Sequence, residues 1–295
     1  LHEVCTAVHT VPIQRSRLHD VGYWLRSHIS GRPFLIERDD LGQMRRLVDR
    51  LLADNDFDVI HADQLTMTQF ALALPQPAPY TIFDAHNATW TISARMVENA
   101  PWFLKPVLQM ETARIKRYEA DLVAHLDHTL VVIQPDQTAL VAGAGNGRAA
   151  ALTQRISVIP IAVDTTDLQP TARQPGSMNI LTLGSLNYPP NADGIRWFVQ
   201  EIFPQIRAQA PDVTLTIIGK NPPADFQRWA EQEPDVFNVT GYVEDLTPYM
   251  EAAALMVVPV RAGSGMRVRL LEAFARAMPA VTTTIGLEGI EATSG

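Results

Sequence analysis

The chain has a single cysteine, Cys5, in 295 residues, so no internal disulfide can form. One thiol suits a reducing compartment, and a cytoplasmic location is the expectation. No apolar run approaches the roughly 18–20 residues that a membrane-spanning helix needs. Leu1-His2-Glu3 offers neither a basic start nor an apolar core, so no signal peptide is read there. There is no initiating Met, and the chain stops at Thr293-Ser294-Gly295, which predicts a fragment lacking both ends. Basic charge is also scarce. The formal net charge is −8 with a pI of about 5.5, and no dense Lys/Arg cluster is present. Nucleic acid is therefore excluded as the main partner. No metal-ligand cluster is evident, and neither a metal nor a bound cofactor is expected.

What is present is globular. The apolar fraction is 46% and the charged fraction 19%, in a chain long enough for two domains. Strand-like apolar runs alternate with helix-period segments, the pattern of parallel α/β units. The first half offers strands at Glu3–Val8, Phe57–Ala62, Pro79–Asp84, His128–Ile133 and Arg155–Ile161. Between them lie helices at Leu41–Asp54 and from Pro106 to Leu126. The latter mixes apolar spacing with Glu111, Arg114, Lys116, Arg117 and Glu119, which predicts an amphipathic surface helix.

From Thr165 to Ser177 two prolines and no apolar periodicity mark a linker. The domains are then expected at residues 1–164 and 178–295. The second series reads as strand Asn179–Leu183, helix Gly194–Ala210, strand Val213–Ile218 and helix Ala224–Gln232. It continues with strand Phe237–Thr240, helix Thr247–Ala252, strand Leu255–Val260, helix Met266–Ala277 and strand Ala280–Thr283. Two doubly wound domains place a ligand cleft at the carboxyl ends of their strands, so loops after strands should carry the chemistry.

The richest such loop is Pro259-Val260-Arg261-Ala262-Gly263-Ser264-Gly265-Met266-Arg267-Val268-Arg269. Its glycines let backbone approach a ligand, and the free N–H groups of the following helix favour an anion. A lone Gly-x-Gly is more often a plain turn with solvated arginines. Arg261, Arg267 and Arg269 around one turn shift the balance toward a diphosphate. Glu272, set among Leu270, Leu271, Ala273 and Phe274, needs a partner if buried. Arg269 on the same helix or ligand hydroxyls could each supply it.

The stretch "RAGSGMRVRLLEAFARAMPAVTTTIGLEGIEA" resembles the donor-binding region of the family-four glycosyltransferases, in the branch with an Arg-x-Gly-Ser-Gly-Thr-Arg signature. Further matches, in order, are "FDVIHADQ", "YTIFDAHNATW", "ISVIPIAVD", "ILTLGSLNYPPNADGIRWFVQEIFP", "LTIIGKNPP" and "VTGYVEDLTPYM". The resemblance implies a GT-B fold, two Rossmann-like doubly wound domains facing across a cleft, incomplete at both termini. It implies a metal-independent, retaining transfer from a nucleoside-diphosphate sugar, UDP- or GDP-linked, to a carbohydrate or lipid-linked acceptor.

In such enzymes a Glu-x7-Glu pair contacts the donor. Glu272 matches the second Glu, at the ribose, while Ser264 stands where the first would be. Amides of Gly263, Ser264, Gly265 and Met266 are then left to meet sugar hydroxyls. The family's diphosphate-binding Arg and Lys are also missing, since Gly184 is followed by Ser185 and Asn191 occupies roughly the Lys position. Departure of a diphosphate builds negative charge. Arg267, with Arg261 or Arg269, is expected to replace the missing pair. His86 matches a histidine that faces the donor sugar, although a lone His after a strand is more often structural. Gly219, with Tyr242 and Val243, resembles the loops lining the nucleotide base.

Trp90, Trp102, Phe103 and Leu104, beside Lys105, are expected to pack under the long helix. The alternative is an apolar lip for a lipid-linked acceptor, with peripheral association at the inner face of the cytoplasmic membrane. Two other functions fit the sequence: a nucleotide-sugar 2-epimerase on the same fold, and a non-catalytic nucleotide-sugar-binding module. Oligomeric state is not legible.

Overall fold

The structure, a computed structural model, describes residues 4–13, 15–72, 74, 78–98, 100–144, 149–263 and 265–292. It divides into two compact units, Leu1–Ile159 and Pro160–Gly295. Each is a mixed α/β layer with a parallel sheet.

In unit 1, β1 (Val59–Asp63), β2 (Tyr80–Ala85), β3 (His128–Val131) and β4 (Ile156–Val158) pair in that order, all parallel. Around them lie α1 (Arg17–Ser30), α2 (Phe34–Asp39), α3 (Gly42–Asp54), α4 (Thr89–Glu98), α5 (Lys105–His125), α6 (Gln134–Gly143) and α7 (Ala149–Thr153). The expected strand at Glu3–Val8 does not form over its described residues, and Val4 is largely exposed. Among the described residues the unit 1 sheet is built from β1 to β4, and this segment pairs with none of them.

Strand alternation sets the two faces of the sheet. Ala62, Phe83, Ala85 and Val131 turn inward against Ile115, Leu122 and Val123 of α5. His61, Asp63 and Asp84 belong to the opposite, partly exposed face.

Helix α5 is amphipathic as expected, but Glu119 is not on its wet side: it is fully buried. Its Oε atoms accept the N–H groups of Thr89 at 2.7 Å and Trp90 at 3.0 Å, the first residues of α4. Asp136 of α6 accepts the Ala88 N–H at 3.0 Å. A helix start has N–H groups with no partner inside the helix. Two buried carboxylates supply them, and thereby fix the loop after β2 that carries His86 and Asn87.

The aromatic residues divide. Trp90 packs against the core with the Lys116 ammonium 4.4 Å above its ring. Trp102, Phe103 and Leu104 are instead 82%, 61% and 43% exposed, contrary to the packing expected of them. They sit in the turn leading into α5, closed by Leu104 N–H donating to Pro101 O at 2.9 Å, which leaves their side chains outward. Among the described residues no helix is long and apolar enough to cross a membrane.

In unit 2, β5 (Asn179–Leu183), β6 (Thr214–Ile218), β7 (Phe237–Gly241), β8 (Leu255–Val258) and β9 (Ala280–Thr282) form a parallel sheet ordered β7-β6-β5-β8-β9. The winding reverses between β5 and β8, which opens a crevice at their carboxyl ends. Ile180, Leu215 and Ile217 join Phe198, Phe203 and Phe226 on one face, while Leu181, Met256 and Val258 join Leu270 and Ala273 on the other. The helices are α8 (Pro189–Trp197), α9 (Phe203–Gln209), α10 (Ala224–Gln232), α11 (Thr247–Ala252) and α12 (Val268–Ala275).

The helix expected at Gly194–Ala210 starts earlier, because Pro189 is tolerated in a first turn. A π-helical turn at Phe198–Ile202 separates α8 from α9 and keeps Phe198 and Phe203 in one cluster. Residues 165–177 hold no helix or strand but are tied to unit 2. Thr171 N–H donates to Arg276 O at 3.0 Å and Gln174 N–H to Glu251 O at 2.8 Å.

Gly219, after β6, leaves no room for a side chain. A Cβ there would lie 2.0 Å from the Gly184 carbonyl oxygen and 2.6 Å from Leu186. Gly219→Ala should therefore destabilise by about 1–3 kcal/mol or more, read from the urea midpoint. Gly22, within α1 and with nothing inside 4 Å of its Cβ position, is the contrast: Gly22→Ala should stabilise by roughly 0.5–1 kcal/mol.

Candidate functional site

The loops after β5 and β8 meet at the reversal of winding. The chain leaves β5 through Gly184 and Ser185, and α8 begins four residues later at Pro189. After β8 it runs through Gly263 at φ 133° and Gly265 at φ 82°. The left-handed turn delays the helix: α12 begins at Val268 rather than Met266, with Arg267 extended just ahead of it. Ser264 lies outside the described residues.

Arg269 reaches from α12 across to β5. Its Nη1 donates to Leu183 O at 2.6 Å and its Nη2 to Asn191 Oδ1 at 2.7 Å, while Asn191 Nδ2 donates to Ser185 O at 3.1 Å. A Cβ on Gly184 would fall 2.2 Å from Arg269 Nη1, so only glycine admits the guanidinium here. No carboxylate among the described residues pairs with Arg269. Burial, and then the neighbouring Arg267 charge, pull its pKa down to about 10. It stays cationic at neutral pH, a charge partly stripped of water and facing polar but uncharged partners.

Arg267 folds back on the turn, donating from Nη1 to Gly265 O at 2.7 Å, with its Nη2 3.0 Å from where a Gly263 Cβ would stand. Arg261 points elsewhere. Its Nε donates to Asp193 Oδ2 at 3.2 Å and its guanidinium lies 5.7 Å over the Trp197 ring. The turn thus gathers two of the three arginines, Arg267 and Arg269.

Glu272 is half-buried on α12 and does not pair with Arg269. Its carboxylate has no hydrogen-bond or ion-pair partner among the described residues, so the Arg269 pairing that the sequence allowed does not form. Met266 is half-buried on the loop ahead of α12. Gly219 lies against the Gly184 carbonyl. Tyr242 is 65% exposed with the Lys220 ammonium 4.4 Å over its ring, while Val243 packs inward.

In unit 1, His86 leaves the end of β2 and its Nε2 donates to Asp63 Oδ1 at 2.6 Å. A pocket of about 280 Å³ opens beside it, lined by Leu35, Gln64, Leu65, Thr66, Asn87 and Thr89 among others. Gln64 is held at φ 71°, a left-handed conformation uncommon for a residue with a side chain. Its N–H donates to Asp84 O at 3.1 Å, which pins the turn.

Residues 177–294 match the family Glycosyl transferases group 1. That stretch contains the whole Arg267–Arg269–Glu272 arrangement. A Klebsiella pneumoniae protein described as an uncharacterized 44.6 kDa protein in cps region is 29% identical over 118 residues, covering 38% of this chain and 30% of that one. Among solved structures, S. aureus TarM is similar with TM-score 0.61 at 12% identity, over 83% of this chain and 45% of its own. Anabaena HepE in complex with UDP gives 0.56 at 17%, over 83% and 65%. The pneumococcal O-GlcNAc transferase GtfA in complex with UDP and GlcNAc gives 0.55 at 17%, over 82% and 44%. At these identities the likeness is one of fold, and the fold is that of GT-B glycosyltransferases. The chain spans less than two thirds of the length of each of these relatives.

Reading by sequence missed Asp63 as the partner of His86, and the pocket beside them. The available signal was His61-x-Asp63 on one strand and Asp84-x-His86 leaving the next, each at the two-residue spacing that puts side chains on one face.

Proposed function

We propose that the chain is the nucleotide-sugar-binding body of a retaining glycosyltransferase. It would move a hexose from a nucleoside-diphosphate sugar to a carbohydrate or lipid-linked acceptor. The observation that carries this reading is the Arg269 guanidinium, held without a carboxylate at the crevice between β5 and β8. It occupies the place beside Gly184 and Asn191 from which the resemblance expects an Arg and a Lys to hold the diphosphate. Helix α12 supplies the missing charge, and Arg267 adds a second.

In this reaction the bond from the sugar's anomeric carbon to the leaving phosphate breaks as the acceptor hydroxyl attacks from the same face. The hydroxyl proton passes to the departing phosphate oxygen, so no side chain serves as general base. Arg269 and Arg267 stabilise the charge that grows on the diphosphate, in a setting where a desolvated cation counts for more than in water. No metal is needed for that step. Glu272 accepts hydrogen bonds from the ribose hydroxyls. His86, held by Asp63 in unit 1, is the residue that the resemblance matches to a donor-sugar histidine. HepE and GtfA were each solved with UDP, which supports a uridine donor. The exposed Trp102 and Phe103 support a lipid-linked acceptor and peripheral membrane contact.

A thermal-shift screen against uridine-, guanosine- and adenosine-diphosphate sugars tests the reading. Ligands that bind only the folded state raise the melting temperature by mass action, by about 2.7 kcal/mol of stability at a hundredfold excess over Kd. One donor class should stand out. A flat response to all three would remove the reading.

A further inference from the structure

The exposed face of the unit 1 sheet carries a cluster that the proposed transfer does not need as a whole. Asp63 and Asp84 are register partners on adjacent parallel strands. Like charges placed directly opposite each other on neighbouring strands destabilise a sheet. Here they are bracketed by two imidazoles. His86 Nε2 lies 2.6 Å from Asp63 Oδ1, and His61 Nε2 lies 3.1 Å from Asp84 Oδ2. Neither aspartate pairs with a Lys or Arg among the described residues. One ligand atom each from Asp63, Asp84 and His86 fall within 4.8 Å of one another.

We propose that Asp63, Asp84 and His86, with His61 adjoining as a fourth ligand, form a binding site for a divalent transition-metal ion of the Zn2+ class. A cation between the two carboxylates relieves their repulsion. Two nitrogen and two oxygen donors suit a four-coordinate, borderline ion. Mg2+ and Ca2+ prefer an all-oxygen shell and more ligands. Three of the four residues stand on paired strands, so their Cα positions are fixed, and the fourth follows immediately on the loop held by Asp136 and Glu119. All four side chains are at least 29% exposed, so an ion can reach them from solvent. The cluster is not legible as a sequence motif because strand pairing brings its members together: Asp63 and His86 are 23 residues apart.

The site shares His86 and Asp63 with the transferase reading, but its test reads Zn2+ binding without nucleotide, so failure of either is told apart from failure of the other. All proteins carry Cys5→Ser, which removes the exposed thiol as a competing ligand. Chelator-stripped protein is titrated with ZnCl2 by calorimetry, beside Asp84→Asn and His86→Gln. The expected result is one Zn2+ per chain, bound roughly 10-fold or more weaker by each variant. Mg2+ and Ca2+ should bind far more weakly than Zn2+. Metal-free melting temperatures of both variants at or above the parent's would show that the loss is one of ligands and not of fold. No saturable Zn2+ binding by the parent would overturn the site. So would an affinity unchanged in both variants, or Mg2+ bound as tightly as Zn2+.

Discussion

Arg269→Met should leave the chain folded and weaken nucleoside-diphosphate binding by roughly 30- to 150-fold. The figure follows from losing one charge-assisted contact to phosphate, about 2–3 kcal/mol, at 1.4 kcal/mol per tenfold. The fold should suffer less than the affinity. Arg269 is a partly desolvated cation with no carboxylate against it, and replacing such a group by an apolar one of similar length recovers desolvation free energy. Against that stand its hydrogen bonds to Leu183 O and Asn191 Oδ1, whose acceptors are left open. Arg261→Ala is the contrast. Its half-exposed pair with Asp193 lies on the rim, where such pairs are worth about 0–1 kcal/mol, so affinity should move by less than about fivefold. Calorimetric Kd and melting temperature, measured together on both variants, separate the two effects. Equal binding by Arg269→Met and parent would place the phosphate elsewhere.

The second large effect concerns stability and pH. Burial of Glu119 holds its carboxyl at about 7 in the folded chain, although the N–H groups of Trp90 and Thr89 pull it down, while the ordinary value is 4.5. Between these values the folded state binds more protons than the unfolded state. Unfolding free energy therefore falls as pH rises from about 4.5 to 7, by up to about 3 kcal/mol from this group. Glu119→Gln cannot titrate and should lose that slope, though it exchanges one acceptor for a donor facing an N–H. Glu119→Ala removes both acceptors and should destabilise by about 3 kcal/mol at pH 5. Urea midpoints at pH 5 and pH 7 decide the matter. A Glu119→Gln slope equal to the parent's would assign the pH dependence to other groups.

These two residues also mark where the sequence stopped being legible. Strands β5, β6 and β8 and helices α10 and α11 could be read because their signals are local: short apolar runs, or apolar positions at helical spacing, bounded by Pro, Gly and Asp. The turn around Gly263 could be read for the same reason, as glycines and arginines adjacent in the chain. Glu119 looked like one more charge on an amphipathic helix. Its burial depends on α4 presenting bare N–H groups 29 and 30 residues away in sequence. The direction of Arg269 was equally hidden, because its partners lie 78 and 86 residues off and only the winding of the sheet brings them together. Arg261 and Arg269 look alike in the sequence, yet one pairs with Asp193 at the surface and the other is drawn against Gly184. Trp90 and Trp102 separate in the same way, one into the core and one into solvent.

The most direct test of the central reading compares a nucleoside diphosphate with its monophosphate, using the base selected by the thermal screen. If Arg269 and Arg267 hold the second phosphate, the diphosphate binds the parent at least about tenfold more tightly. That preference should shrink toward parity in Arg269→Met. Equal affinity of the parent for diphosphate and monophosphate would contradict the account.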